Sequence, residues 1–369
     1  MALLSCFIDY ILTSLRVFVN RIDKIIPLGY NLLGDIKMNI FTMKSGNIAD
    51  TKEKFNKRQE EIKKFLTEAV YGRIPDPPEH LGADIIYEDR GFGGGIGILR
   101  CFGLKITLDG EVFTLPFKAA VPNGNGKYPT FIYVGEDSAV PNKYLPAEEI
   151  VERGYGVFCL SLEDIFPKGE KETKLIKKLS PSRRKKDSPG RIALLAWLIM
   201  RIADYAAHQS YVDEKSLAVI GHGLLARVAL VAGGYDKRFK YIILNSLEFG
   251  EKYLTNPNIF AKGFSDNADG CFDELALALC VPRTIIVGAA IDDVVSDRES
   301  ELSALASLHD AYKLFGKNGL KYDEPIVSEA NVKSDSIFYR LRDGVPYLCR
   351  RDWNAYMDYI DTNSNKNIN

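Results

Sequence analysis

Residues Ser216–Gly233, SLAVIGHGLLARVALVAG, decide how the centre of this chain folds. The apolar run Leu217–Ile220 predicts a buried strand, and the apolar spacing after Gly223 predicts the start of a helix. Gly221 and Gly223 predict a sharp turn between the two. A strand, a tight turn and a helix in this order form a nucleophile elbow, in which the residue at the tip is raised above the sheet. Gly223 stands at that tip, and it has no side chain with which to attack a substrate.

Short apolar runs and helical patterns alternate through most of the chain. The early segments 83–87, 99–108 and 112–121 alternate in polarity, and Asp109-Gly110 is typical of a hairpin turn. Further strands are predicted at 128–134, 156–160, 217–220, 241–244, 284–288 and 336–341, and helices at 52–70, 146–153, 192–208, 224–233, 273–279, 300–315 and 353–360. The sequence therefore predicts an α/β fold: a mostly parallel, doubly wound sheet with antiparallel N-terminal strands and helices on both faces.

Composition excludes several functional classes. The chain has 369 residues, 46% of them hydrophobic, and a formal net charge of −1, so nothing in it favours nucleic-acid binding. Its six cysteines are widely spaced without a Cys-x-x-Cys pair, which indicates free thiols in a reducing, cytoplasmic setting. The four histidines are equally scattered. We therefore expect no metal site and no cofactor.

The first residues form a separate segment. Apolar side chains recur at helical spacing, at Leu4, Phe7, Ile8, Ile11, Leu15, Phe18, Ile22 and Ile25. Asp9 and Arg16 interrupt the pattern too early for a membrane span. We expect an amphipathic helix that packs on the main domain or on a partner; attachment of 1–26 to a membrane surface is the less favoured alternative. A true start at Met38 or Met43 would also explain the segment. The predicted organisation is an N-terminal helical extension (1–49), one α/β domain (50–362) and a polar tail (363–369).

From about residue 50 to 360 the chain resembles a family of esterases. It is similar to the acetyl xylan esterase and glucuronoyl esterase-like α/β-hydrolases, which act on esters of plant polysaccharides. The motifs that carry the resemblance are Tyr71-Gly-Arg-Ile-Pro, Tyr144-Leu-Pro-Ala-Glu-Glu-Ile, Ala218-Val-Ile-Gly-His, Asp236-Lys-Arg-Phe and Arg351-Asp352-Trp353. The resemblance implies the α/β-hydrolase fold and a site at the carboxyl ends of the parallel strands.

The departures from this family fall on its catalytic positions. The family has serine and arginine where this chain has Gly223 and Leu224, and its histidine corresponds to Pro346. No histidine follows His309, so a shift in alignment does not restore the base. Of the catalytic residues that the resemblance implies, only the acid has a remnant, at Asp293. Loss of nucleophile or base in a serine hydrolase lowers turnover by roughly a millionfold.

Two hypotheses follow for function. The first is a degenerate, catalytically inactive relative that binds a carbohydrate ester, another small ligand or a protein partner in the old crevice. The alternative is a carboxylic-ester hydrolase with weak or non-standard catalysis. Candidate binding residues flank the elbow and the neighbouring strand ends: His222, Leu224, Ser246, Glu136 and Asp137.

Other chemistry-bearing residues have simpler interpretations. His222 is expected to support the turn, His309 to pack on its helix, and Asp292 to face solvent or cap a helix. The glycine-rich run 91–97 leads into a strand, whereas a phosphate-binding loop opens a helix. The basic cluster Lys177, Lys178 and 183–186 lies among serines and prolines and indicates an exposed loop.

Overall fold

Ten strands form one sheet in the part of the chain that the computed structural model describes, which is residues 39–167, 173–179, 185–247, 249, 259–262, 264, 272–321, 326–327 and 329–365. The strands are β1 (His80–Asp89), β2 (Gly97–Leu108), β3 (Glu111–Pro122), β4 (Tyr128–Gly135), β5 (Gly156–Ser161), β6 (Val212–His222), β7 (Tyr241–Asn245), β8 (Thr284–Ala290), β9 (Ala330–Lys333) and β10 (Ile337–Arg342). The predicted helix over 1–26 lies outside the described residues, as do Arg183, Arg184 and the end of the tail.

The strand order is β1-β2-β3-β5-β4-β6-β7-β8-β10-β9. The first three strands and β5 pair antiparallel, and β5, β4, β6, β7, β8 and β10 pair in parallel. The antiparallel start comes from tight connections, since Asp109 and Gly110 both have positive φ, 50° and 74°, as a two-residue hairpin turn requires. The predicted fold class, an α/β sheet that is mostly parallel, is confirmed.

Helices cover the sheet on both faces. They are α1 (Lys52–Phe65, continued by a π-helical turn, Leu66–Val70), α2 (Phe92–Gly95), α3 (Ala147–Glu152), α4 (Leu162–Ile165), α5 (Lys174–Leu179), α6 (Arg191–Ala207), α7 (Leu224–Tyr235), α8 (Phe272–Ala278), α9 (Arg298–Ser307), α10 (His309–Lys313) and α11 (Arg350–Asn365). On one face, the Trp353 ring of α11 packs edge-on against Phe131 and Tyr133 of β4. On the other, a Cβ at Gly233 of α7 would lie 2.5 Å from Ile242, so that helix packs directly on β7.

Several elements differ from the sequence prediction. The short helices α2, α4 and α5 were not predicted, and Lys177 and Lys178, which were expected in an exposed loop, lie on α5. The helix predicted over 300–315 is two helices, α9 and α10, that meet at Leu308. The hydroxyl of Ser307 lies 2.8 Å from both the carboxylate of Glu274 on α8 and the carbonyl of Ala304, so α9 ends where it contacts α8. The short strand β9 was not predicted, because its four residues carry no alternating pattern long enough to identify them.

The register of the parallel strands brings their carboxyl ends to one edge. His222 pairs with Asn245 across β6 and β7, and Asn245 pairs with Gly288 of β8. Gly288 in turn pairs with Arg340 of β10. We call this edge, where β4, β6, β7, β8 and β10 end, the site edge. In open parallel sheets ligands bind outside the carboxyl ends of the strands.

Candidate functional site

The turn between β6 and α7 has the backbone of a nucleophile elbow. Gly223 adopts φ 60° and ψ −131°, a conformation that side-chain-bearing residues rarely take. Its amide donates to the carbonyl of Asn245 at 2.9 Å, which fastens the turn to β7. Gly221 is required for a different reason, since a Cβ there would lie 2.1 Å from the carbonyl oxygen of Leu225. The two glycines therefore build the tight strand-to-helix turn that the sequence predicts.

The tip of this elbow carries no functional group. Gly223 is buried, and Leu224, half-buried, opens α7. Pro346 lies half-buried on the loop 343–347 after β10 and supplies neither a proton acceptor nor a donor. A hydroxyl at the tip and an imidazole on this loop are what acyl transfer by a serine hydrolase needs.

A hydrogen-bonded chain runs beneath the elbow from His222 to α11. The Asn245 amide nitrogen donates to the Tyr356 hydroxyl at 2.7 Å, so its carbonyl oxygen faces His222. That oxygen lies 2.7 Å from His222 Nδ1, which must therefore carry the proton. Burial lowers the pKa of His222, and the bond to Asn245 opposes the shift. We infer that His222 is neutral at pH 7 and that it supports the turn.

Aromatic rings stack beside the elbow. The ring of Tyr144 stacks on His222 with centroids 5.6 Å apart, and the ring of Tyr347 packs on Tyr144 at 4.5 Å. The ammonium of Lys143 lies 5.0 Å from the centroid of the Tyr144 ring. Tyr144 and Tyr347 are both half-buried. This half-exposed stack gives the site edge aromatic and cationic groups suited to contact with a sugar.

Arg342 pins the loop that carries Pro346. Its guanidinium donates to the carbonyls of Asp343, Val345 and Tyr347 at 2.8, 2.7 and 2.6 Å. It also pairs with the buried carboxylate of Asp352 at 3.2 Å. Three carbonyls of one five-residue loop thus converge on a single buried cation, which fixes the position of Tyr347 in the aromatic stack.

Asp293 is buried on the loop after β8. Its Oδ1 accepts the amides of Val295 and Ser296 at 2.9 and 3.1 Å, so this carboxylate shapes its own loop. The neighbouring Asp292 is exposed, and its amide donates to the carbonyl of Gly344 at 3.1 Å. The loops that follow β8 and β10 are therefore joined at the site edge.

The other predicted residues divide into two groups. Ser246 directly follows Asn245, is buried, has φ 50°, and donates its amide to the carbonyl of Gly288 at 2.6 Å. Strained backbone of this kind is concentrated at functional sites. Glu136 and Asp137 follow β4 at the same edge, and both are exposed. His309 lies elsewhere, at the start of α10, with Nδ1 3.2 Å from the carbonyl oxygen of Gly319.

Sequence reasoning missed several residues at the site edge: Asn245, Tyr144, Tyr347, Tyr356 and Arg342. Tyr144 opens one of the motifs used for the resemblance, but nothing in the sequence marks Tyr144 and Tyr347 as ring partners. The bond between His222 and Asn245 depends on the pairing of β6 with β7. The only feature of the sequence that could have pointed to this bond was a polar residue, Asn245, at the end of an otherwise apolar strand.

Neither a metal-binding cluster nor a membrane-spanning helix is found in the described part of the chain. It contains no group of three or more His, Cys, Asp or Glu side chains placed to hold a metal ion. Among the same residues no helix is both long enough and apolar enough to cross a membrane.

The sheet order, the elbow and the helices on both faces define an α/β-hydrolase fold. Solved structures with this architecture include the glucuronoyl esterase from Solibacter usitatus, with a TM-score of 0.77, 22% identity, and coverage of 92% of this chain and 99% of that one. A promiscuous esterase of carbohydrate esterase family 15 from a marine bacterial metagenome matches with a TM-score of 0.75, 21% identity, and 92% and 98% coverage. A variant of the Sporotrichum thermophile glucuronoyl esterase, in complex with methyl 4-O-methyl-β-D-glucopyranuronate, matches with a TM-score of 0.59, 18% identity, and 88% and 86% coverage.

Sequence comparison points in the same direction. The chain is 25% identical to Carbohydrate esterase MZ0003 from an unknown prokaryotic organism, over 85% of this chain and 86% of that protein. It is 24% identical to the 4-O-methyl-glucuronoyl methylesterase of Hypocrea jecorina (strain QM6a), over 58% of this chain and 42% of that protein. No family model matches the chain. The chain thus has the α/β-hydrolase fold and is similar in sequence to carbohydrate esterases.

Proposed function

We propose that this chain binds a carbohydrate ester or a related small ligand at the site edge and does not hydrolyse it by serine chemistry. The observation that carries the proposal is Gly223, which holds the elbow conformation, φ 60° and ψ −131°, without a nucleophile. Acyl transfer by this mechanism needs a nucleophile and a base that deprotonates it. The elbow lacks the first, and Pro346 replaces the second.

The ligand class is argued from the side chains around the elbow. Tyr144 and Tyr347 are half-buried rings of the kind that pack against the apolar face of a sugar. The Lys143 ammonium lies 5.0 Å from the Tyr144 ring and is suited to an acidic or polar substituent. Similarity to two curated carbohydrate esterases, one named as a glucuronoyl methylesterase, supports the same class of ligand.

The second candidate is a carboxylic-ester hydrolase that uses a non-standard nucleophile. Both curated relatives carry esterase names, which favours this alternative. Within the described residues, the group best placed to act as a base at the elbow is His222, which burial keeps neutral. Its Nδ1 is engaged by Asn245, which leaves Nε2 as the free acceptor.

The two candidates are separated by ester hydrolysis with methyl 4-O-methyl-β-D-glucopyranuronate and a short-chain aryl ester. We expect no turnover by the unmodified chain above a mock purification. A Gly223→Ser, Pro346→His double variant should gain activity, because either catalytic residue alone leaves the mechanism roughly a millionfold impaired. Binding of the same uronate ester to the unmodified chain is measured by calorimetry.

The two single variants are the matched controls, and neither should gain the activity of the double variant. Turnover by the unmodified chain would contradict the proposal and establish the hydrolase; a His222→Phe variant would then show whether His222 is its base. An inactive parent that also fails to bind the uronate ester would contradict the proposed ligand class.

A further inference from the structure

Five buried polar atoms on β10, α9 and the loop after β8 have no hydrogen-bond partner, and electrostatic interactions couple Glu301 to Asp293 and to Tyr339. They are Asp293 Oδ2, Ser296 Oγ, Tyr339 OH and both carboxylate oxygens of Glu301, none of which makes a hydrogen bond to the described residues. Glu301 is 1% exposed and Tyr339 is fully buried. Buried polar groups are nearly always paired, so a cluster of unpaired ones requires an explanation.

Charge and donor counts limit what that explanation can be. With Glu301 ionised, two buried carboxylates repel each other, and among the five atoms only the hydroxyls of Ser296 and Tyr339 can donate. A buried charge without a partner is costly, and a buried acid commonly stays neutral instead. With Glu301 protonated, the cluster gains a third donor and loses one charge. One proton on Glu301 therefore removes one of the two buried negative charges and supplies the missing hydrogen-bond donor.

We propose that Glu301 is a neutral carboxylic acid in the folded protein and that its proton bonds to Asp293 Oδ2. This bond fastens the loop 291–296 to α9. Asp293 already accepts the amides of Val295 and Ser296 through Oδ1. The second oxygen then ties the same loop to the helix, and Glu301 acts as a positioning residue for Asp293.

The charged groups around Glu301 agree with a neutral acid. Burial raises the pKa of Glu301 to about 8. The neighbouring Tyr339 hydroxyl lowers this pKa, while the charges of Asp293 and of Asp273 on α8 raise it. Arg298, on the same helix as Glu301, lowers it. Asp273 pairs with Arg227, so that cation is already engaged.

The sign of the pH effect follows from linkage. The pKa of Glu301 rises from 4.5 in the unfolded chain to about 8 in the folded one. Between these values the folded state holds the extra proton, so its contribution to stability is complete below pH 4.5 and is lost as pH rises toward 8. Over that window the unfolding constant should increase by about tenfold per pH unit.

The test measures urea unfolding against pH for the unmodified chain, Glu301→Gln and Glu299→Gln. Glu299 is exposed on the same helix and provides the matched control. We expect Glu301→Gln to abolish the tenfold-per-unit dependence and Glu299→Gln to keep it. Parallel pH profiles for the unmodified chain and Glu301→Gln would overturn the proposal.

A second measurement covers the case in which Glu301→Gln does not fold. Hydrogen exchange of the Val295 and Ser296 amides in the unmodified chain should lose protection between pH 6 and pH 9, after correction for intrinsic rates. The Ser300 amide, which donates to Asp297, should keep its protection over the same pH range. Unchanged protection would overturn the proposal. A second result would also overturn the proposal: calcium raises the urea midpoint of the unmodified chain but not that of Glu301→Gln. The cluster would then hold a cation instead of a proton.

Discussion

Gly223 affects both the backbone strain of the elbow and the chemistry available at its tip. A serine at φ 60° and ψ −131° would be strained, and hydrolases keep that strain because it lifts the nucleophile above the sheet. Glycine takes the same conformation freely, so Gly223 carries neither the strain nor the nucleophile that a serine would bring. The elbow itself survives, because its second requirement, close packing of Gly221 against Leu225, does not depend on the tip residue.

The first prediction at the residue scale is that Gly223→Ser lowers stability by about 1–3 kcal/mol, the usual cost of a strained backbone conformation. The measurement is urea unfolding at neutral pH. Gly82→Ala on β1 is the control, because no atom lies within 4 Å of its added Cβ and φ there is not positive. That variant should stay within about 0.5 kcal/mol of the unmodified chain. Equal stability of Gly223→Ser and the unmodified chain would show that the turn relaxes.

At the scale of elements, the sequence predicts what local pattern encodes and misses what pairing creates. The elbow, the hairpin at Asp109-Gly110 and the long strands follow from glycine placement and apolar periodicity. The break at Leu308 coincides with a contact of Ser307 with Glu274 on another helix, and β9 pairs only with β10 among the described strands. Local periodicity contains neither fact.

The site shows the same division. Gly223, Pro346 and Asp293 were identified from motif positions, whereas the partners of His222 come from strands and helices distant in sequence. Tyr356 reaches Asn245 from the last helix, 111 residues away. Such contacts need the register of the sheet, which one sequence does not supply.

Arg342 supports a prediction about the loop after β10. Arg342→Met should cost about 3 kcal/mol or more, because it leaves Asp352 with one less buried partner and three carbonyls without a donor. It should also change the near-ultraviolet circular dichroism, since the Tyr347 ring would leave its fixed packing on Tyr144. Urea unfolding and circular dichroism provide the two readouts.

The control for this prediction is Arg351→Met. The Arg351 side chain is 64% exposed and pairs with Glu329 at 3.5 Å, so its loss should change stability by less than about 1 kcal/mol. If Arg342→Met were no worse than Arg351→Met, the three carbonyl bonds would contribute little and the loop would be held by other contacts.

The sheet as a whole ends in two unlike edge strands. In the described chain β9 is four residues long, whereas β1 spans ten residues and exposes Ile85, Ile86 and Tyr87. A register shift between Ile85 and Tyr87 places a bulge at Ile86, a feature that discourages pairing with another strand. The bulge opposes association, while the apolar side chains around it favour association.

We expect the apolar side chains to prevail at high protein concentration. Long edge strands with exposed apolar residues pair with other chains, and Ile86 is 67% exposed. Ile86→Lys should suppress concentration-dependent association in light scattering while changing the free energy of unfolding by less than about 0.5 kcal/mol. Val294→Lys, a change of the same kind on a loop, should leave association unaltered. A monodisperse unmodified chain at every concentration would show instead that the bulge at Ile86 alone is enough to block strand pairing, because the twist it adds turns the free backbone groups of β1 away from a second chain.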